Sequence, residues 1–221
     1  MFPISDVIPS RTAPVVTIGL IVLNALAFLY ELQLDEYDLQ LFVHYYGVVP
    51  ATFSWPDVLS SMFLHGGWLH FLGNMLYLWI FGDNVEDRLG HGLYLIFYLA
   101  CGALAALAQV VVQPSSPVPM IGASGAIAGV MGAYFVLYPH SRVLAVVFFV
   151  IFFDIVEIPA IFFLGVWFLM QLFSGAGSVV DAAEGGIAFM AHIGGFVAGV
   201  LAGFVARARD VAQQEYWRDV R

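Results

Sequence analysis

The sequence predicts an all-α membrane protein: a bundle of six transmembrane helices with a partly interfacial first loop. Three observations lead there: extreme apolarity, a series of apolar runs, and arginines confined to alternate connections. Of 221 residues, 62% are hydrophobic and 10% charged, and the mean hydropathy is +0.91. A soluble domain carries about 25% charged residues, so too few charges are present to coat a water-facing globule. Six spans of roughly 20 residues would occupy about 120 positions and leave mostly short connections. The same composition excludes other classes. There is no lysine, and 7 basic residues face 16 acids for a net charge of -9, which leaves nothing from which to build a nucleic-acid footprint. The single cysteine, Cys101, sits in an apolar run, so neither an intrachain disulfide nor a cysteine metal cluster is expected.

Residues 1–14 form a short cytoplasmic N-terminus. Proline and acid stand where a cleavable signal peptide would have a basic start, so Val15 to Tyr30 reads as a retained first span. Glu31 to Ser61 mixes acids, aromatics and prolines, the composition of half-buried interfacial pieces. Span two runs from Gly67 to Gly82 and is closed by Asp83 to Gly90. Span three covers Leu93 to Val111, ahead of a proline- and serine-rich loop. Span four starts near Ser124 and ends at Tyr138-Pro139. Val143 to Phe153 is too short to cross a bilayer and reads as an interfacial or re-entrant piece. Span five begins near Pro159 and reaches Phe173, span six covers Gly186 to Ala206, and residues 207–221 form a frayed cytoplasmic tail. Residues 15–206 thus make one six-span domain.

Charge sets the orientation. With six spans and the N-terminus inside, Arg11, Arg88, Arg142, Arg207, Arg209, Arg218 and Arg221 all fall on the cytoplasmic side. The opposite side holds Asp35, Glu36, Asp38, Asp57, Asp181 and Glu184. A seventh span would put the four arginines of the tail outside. Gly195, Gly199 and Gly203 recur every fourth residue on span six, as do Gly125 and Gly129 on span four. Such stripes allow close helix contact within a membrane, so spans four and six are expected to face each other. Glycine is also simply common in membrane helices.

Polar groups at membrane depth are costly and mark function. Ser124 stands between Gly122 and Gly125 at the mouth of a short span, where it can be a nucleophile in a water-lined cavity or a helix cap. His192, early in span six, can reach that serine as general base if spans four and six pack along their glycines; a structural hydrogen bonder or a proton relay is the alternative. His70 and Asn74, four apart, share one helix face and can donate to a developing oxyanion, or can tie span two to a neighbour. His65 lies about 140° round from His70 and reads as a loop anchor. A metal held by His65, His70 and His192 is disfavoured by the spacing and by the lack of an H-E-x-x-H motif. With no acid near His192 in sequence, a Ser-His dyad is expected rather than a triad.

Three blocks carry a resemblance: His65-Gly66-Gly67-Trp68-Leu69-His70-Phe71-Leu72-Gly73-Asn74, then Gly122-Ala123-Ser124-Gly125, then Ala191-His192-Ile193-Gly194-Gly195-Phe196. In this order, in a six-span chain, they resemble the rhomboid family of intramembrane serine proteases. The resemblance implies that Ser124 is the nucleophile and His192 its base. It implies that His70, Asn74 and the Ser124 amide support the oxyanion, and that Glu86 is a buried acid holding the cytoplasmic ends together in a loop from Asp83 to Gly90. It implies transmembrane protein substrates cut within the lipid bilayer, and no metal or other cofactor. The Trp-Arg pair of many first loops is represented by Ser54-Trp55-Pro56-Asp57, without the arginine, and the soluble N-terminal domain of some members is not expected. Relatives without the serine or histidine bind or escort transmembrane clients; this chain has both residues. A transporter would carry more ionised groups at mid-membrane. With no long basic presequence, a prokaryotic plasma membrane is the expected location.

Overall fold

The computed structural model describes residues 2–149, 152–178 and 188–219. Val150 and Ile151 of the ambiguous apolar stretch lie outside them, as do Asp181, Glu184, Gly186 and Arg221. The chain is mostly helical. α1 (Val15–Glu31) leads through the first loop, which contains α2 (Glu36–Tyr46) and α3 (Trp55–Ser60), into α4 (Trp68–Leu89). α5 (His91–Val112), α6 (Ser124–Leu137), α7 (Ala160–Ser178) and α8 (Phe189–Asp219) follow. Among the described residues, two helical stretches, His91–Val112 and Phe189–Arg209, are long and apolar enough to cross a membrane by length and composition. α1, α6 and most of α7 are apolar but shorter.

Three expectations need correcting. First, the fold is not all-α. β1 (Phe2–Asp6), β2 (Arg142–Phe149) and β3 (Phe152–Pro159) form an antiparallel sheet in that order. The described residues of Val143 to Phe153 are therefore strand, most of them in β2, rather than an interfacial or re-entrant piece. Its alternation is hidden because both faces are apolar. Val143 and Ala145 are buried, while Phe153 and Ile155 on the opposite face are exposed. Second, Asp83 to Gly90 is no loop: α4 continues to Leu89, and the chain turns at Gly90 with a φ of 78°. Third, the expected frayed tail continues α8 to Asp219.

The continuation of α4 explains acids that oppose its own dipole. Carboxylates at a helix C-terminus are unfavourable, but those near a helix N-terminus are stabilised. Glu86, completely buried, accepts hydrogen bonds from the Val16 and Thr17 amides at 2.9 and 2.8 Å. It thereby caps α1, whose own N-cap, Pro14, offers no side-chain bond. Its Oε1 also lies 2.6 Å from His91 Nδ1. Asp87 accepts from the Arg11 and Thr12 amides at 2.5 and 3.0 Å, and Ser10 donates to Asp83. The segment ahead of α1 is thus fastened to the last turns of α4.

The core lies around α6. Eleven of its 14 residues are buried, as suits a helix that is apolar all round. Its contact with α8 is glycine on glycine: a Cβ on Gly195 or Gly199 would fall on the carbonyl oxygen of Gly125 or Gly129. Gly132 stands likewise against the Phe196 carbonyl, and Gly203 against Ala133 and Val136. With backbones this close, the first turns of α6 and α8 bring their polar side chains together.

Candidate active site

Ser124 is the first residue of α6. The loop before it is fixed by the first loop of the chain: Val48 and Met120 exchange both backbone hydrogen bonds, at 3.0 and 2.8 Å, and the Ala51 amide donates to Ser116. The Gly122 amide donates to the Ser61 carbonyl at 2.8 Å. These bonds anchor the first loop, which has a tryptophan, Trp55, without the arginine expected beside it in many such loops; Trp55 itself is 63% exposed. The residue before the helix, Ala123, makes no side-chain cap. Instead of capping the helix, the Ser124 hydroxyl lies 2.8 Å from His192 Nε2.

His192 occupies the first turn of α8, its amide donating to Ala188. Its other ring nitrogen, Nδ1, lies 2.8 Å from Gln171 Oε1 on α7. The indole of Trp167, one turn earlier on α7, packs over the imidazole with centroids 5.9 Å apart. Both ring nitrogens of the histidine are therefore engaged, one by the serine and one by a neutral amide.

His70 and Asn74 lie on the first turns of α4 and face the same place. The Gly66 amide donates to His70 Nδ1 at 3.3 Å, which leaves the proton on Nε2. A Cβ built on Gly122 would meet His70 Nε2 at 2.7 Å and Asn74 Nδ2 at 3.6 Å. Gly122 has a φ of 120°, where a side chain would also be strained. Asn74 is buried and its Nδ2 has no hydrogen-bond partner among the described residues. Two N–H donors thus converge beside the backbone two residues before Ser124.

His65 sits just before α4, buried against Phe28 and Phe71, with its ring 5.1 Å from that of His70. Its amide donates to both oxygens of Glu31, each at 3.1 Å, and its Nδ1 lies 3.2 Å from the Phe63 carbonyl. Among the described residues no three His, Cys, Asp or Glu side chains gather as a metal site. Sequence reasoning missed Glu31, which ends α1 among apolar neighbours, and Gln171. The helical spacing of Trp167 and Gln171 was the available signal, but nothing local says which way α7 turns.

The arrangement could carry acyl transfer: a hydroxyl, an imidazole on a second helix and convergent N–H donors. The family model of the Rhomboid domain matches residues 52 to 209. Rhomboid protein 1, mitochondrial, of Saccharomyces cerevisiae is 31% identical over 165 residues, 72% of this chain and 44% of the yeast protein. The rhomboid protease GluP of Bacillus subtilis is 42% identical over 83 residues, 38% of this chain and 16% of GluP. Rhomboid-like protein 11, chloroplastic, of Arabidopsis thaliana is 39% identical over 77 residues, 34% of this chain and 27% of the plant protein. The chain thus spans less than half the length of each of these relatives. Since the domain match takes in every side chain of the site described above, from His65 to His192, the chain belongs to the rhomboid family.

Proposed function

We propose that the protein is an intramembrane serine endopeptidase that cleaves transmembrane segments of other membrane proteins. The observation that carries this reading is the 2.8 Å approach of His192 Nε2 to the Ser124 hydroxyl across the glycine contact of α6 and α8. The family is one of integral membrane proteins, which accords with the apolarity of the chain. In this reading residues 15–206 form six spans, α1, α4, α5, α6, α7 and α8. Both termini are cytoplasmic, with the arginines on the side expected of the cytoplasm. A prokaryotic plasma membrane is the proposed site, although the names of the yeast and Arabidopsis relatives place those proteins in mitochondria and chloroplasts.

The reaction runs by acyl transfer. A substrate helix approaches laterally past α7 and unwinds at its end, since its carbonyls are otherwise held within the helix. Ser124 Oγ attacks the peptide carbonyl carbon while His192 Nε2 takes the hydroxyl proton. The resulting oxyanion accepts hydrogen bonds from His70 Nε2–H, Asn74 Nδ2–H and the Ser124 amide. Collapse expels the amine, which receives the proton from His192. Water, deprotonated by the same imidazole, then releases the acyl group. The buried, unsatisfied Asn74 donor supports this assignment, because such a group costs stability unless an acceptor arrives.

The test is cleavage of a labelled single-span substrate by purified protein in liposomes, beside Ser124→Ala. A cut at one defined bond, abolished in the variant, is the expected result. Equal cleavage by both proteins would refute the role of Ser124. No cleavage of several helix-destabilised substrates by folded protein would favour a non-catalytic role in binding or escorting transmembrane clients.

A further inference from the structure

We propose that Gln171 is a positioning residue for the base, selecting the tautomer of His192 in which Nε2 faces Ser124 with its lone pair. This deepens the reading of Ser124 and His192 as nucleophile and base and rests on it. The geometry is direct. Gln171 Oε1 lies 2.8 Å from His192 Nδ1, on the side of the ring opposite the 2.8 Å contact of Nε2 with Ser124. An amide oxygen can only accept, so Nδ1 carries the proton and Nε2 is free to receive another. Trp167 stands one turn earlier on the same helix face and packs over the imidazole. α7 therefore supplies both restraints on the base: Trp167 limits the plane of the ring and Gln171 its rotation and protonation.

A neutral acceptor suits this location. In a serine triad the third member is an acid that orients the imidazole and stabilises the imidazolium. Here a carboxylate would stand half-buried between α7 and α8, with a desolvation cost that a neutral amide avoids. Glutamine orients the ring without that cost and stabilises the imidazolium less. During attack the Ser124 proton passes to Nε2, and the Nδ1 proton stays on histidine, shared with Gln171 Oε1 throughout. No proton reaches the glutamine. Because the acceptor comes from α7, the base is correctly set only while α7 is seated against α8.

The experiment uses the full chain in lipid nanodiscs with Gln171→Leu and Gln171→Glu. Two readouts are taken: cleavage of the single-span substrate across pH, and 15N NMR of the histidine rings, with His192 assigned by its loss in His192→Ala. In wild type the ring is expected to be protonated at Nδ1. Gln171→Leu should lose this fixed tautomer and lower kcat by roughly 10-fold or more, below the roughly 10⁴-fold effect of a reversed tautomer in a Ser-His-Asp triad. Its KM should stay within about 2-fold, since ground-state binding is untouched. Gln171→Glu retains an acceptor, so it should keep Nδ1 protonated and lose less kcat than Gln171→Leu, the desolvation of its carboxylate accounting for the loss that remains. Its acid limb should move to higher pH, because the carboxylate favours imidazolium. A merely structural glutamine would not move that limb. An unchanged kcat in Gln171→Leu, an equal loss in both variants, or a wild-type ring protonated at Nε2 would each overturn the proposal. If wild type and Ser124→Ala alike fail to cleave, the protease reading falls, while the NMR tautomer still decides the role of Gln171.

Discussion

Asn74 carries a cost in stability that its proposed part in the oxyanion site would offset. Its carboxamide nitrogen is buried without a hydrogen-bond partner among the described residues, and leaving such a donor unmet costs about 1–3 kcal/mol. An oxyanion arriving beside Gly122 would meet it. Asn74→Ala is therefore expected to lower kcat by about 10²–10³-fold, as removal of one oxyanion donor does in a serine protease. The same change should move unfolding stability by no more than about 1 kcal/mol, because the lost donor was unsatisfied. Steady-state cleavage and thermal unfolding in detergent check the two halves; a large stability loss with little effect on rate would make Asn74 structural. Much of this residue-level picture was legible beforehand. Ser124, His192, His70 and Asn74 are conspicuous because polar groups in apolar runs demand a reason. Gln171 escaped notice because it follows a long apolar run and stands two residues before the expected end of span five at Phe173, where a glutamine is unremarkable. Glu31 escaped for a similar reason, since an acid at the end of an apolar segment looks solvated, whereas it is 3% exposed and holds the His65 amide.

At the scale of elements, the contact between α6 and α8 fixes the distance between Ser124 and His192. The every-fourth-residue glycines could be read from the sequence, and the observed approach of Gly199 to Gly129 and of Gly195 to Gly125 is as close as backbone allows. Gly199→Ala places a methyl group on a carbonyl oxygen that belongs to a helix backbone and cannot rotate away. The expected cost is about 1–3 kcal/mol or more, with a loss of activity as His192 is carried away from Ser124. Gly19→Ala is the control: no atom lies within 4 Å of its added Cβ, and a helical alanine gains about 0.5–1 kcal/mol over glycine. Thermal unfolding of the two variants should therefore shift in opposite directions, and equal shifts would remove the steric argument. The sheet was not legible in the same way. β2 has no polar-apolar alternation to mark it, and its partner β1 lies at the other end of the sequence, with Phe2 opposite Val146. A pairing over that separation leaves no local signal. The length of α8 was underestimated because its last turns are polar, as a helix running beyond an apolar layer can be.

Across the whole molecule, β1 couples the first residues of the chain to the helix that carries Ser124. Tyr134 on α6 donates to Asp6 Oδ2 at 2.5 Å and lies 2.9 Å from Ser141 Oγ. Asp6 and Asp83 of α4 line one cleft with Ser10 and Trp79. Burial pushes the Asp6 carboxyl up to about 6, opposed by the Tyr134 hydrogen bond and assisted by repulsion from Asp83. The folded chain therefore binds this proton more tightly than the unfolded chain does, whose carboxyl titrates near 3.8. Stability linked to Asp6 is then complete below about pH 4 and is lost as the pH rises through about 6. Asp6→Asn keeps an oxygen to accept from Tyr134 but never acquires the charge. Its unfolding temperature should match that of wild type near pH 4 and exceed it near pH 7, since only wild type then carries a half-buried charge, which also faces Asp83. Comparing the two proteins cancels the titration of the acids that do not interact with Asp6. A constant difference between them at every pH would mean that Asp6 acts through its hydrogen bond alone. A difference that opens between pH 4 and 7 would mean that ionisation of Asp6 loosens the fastening of β1 to α4 and α6. The end of α6 opposite Ser124 would then be sensitive to the acidity of the compartment it faces.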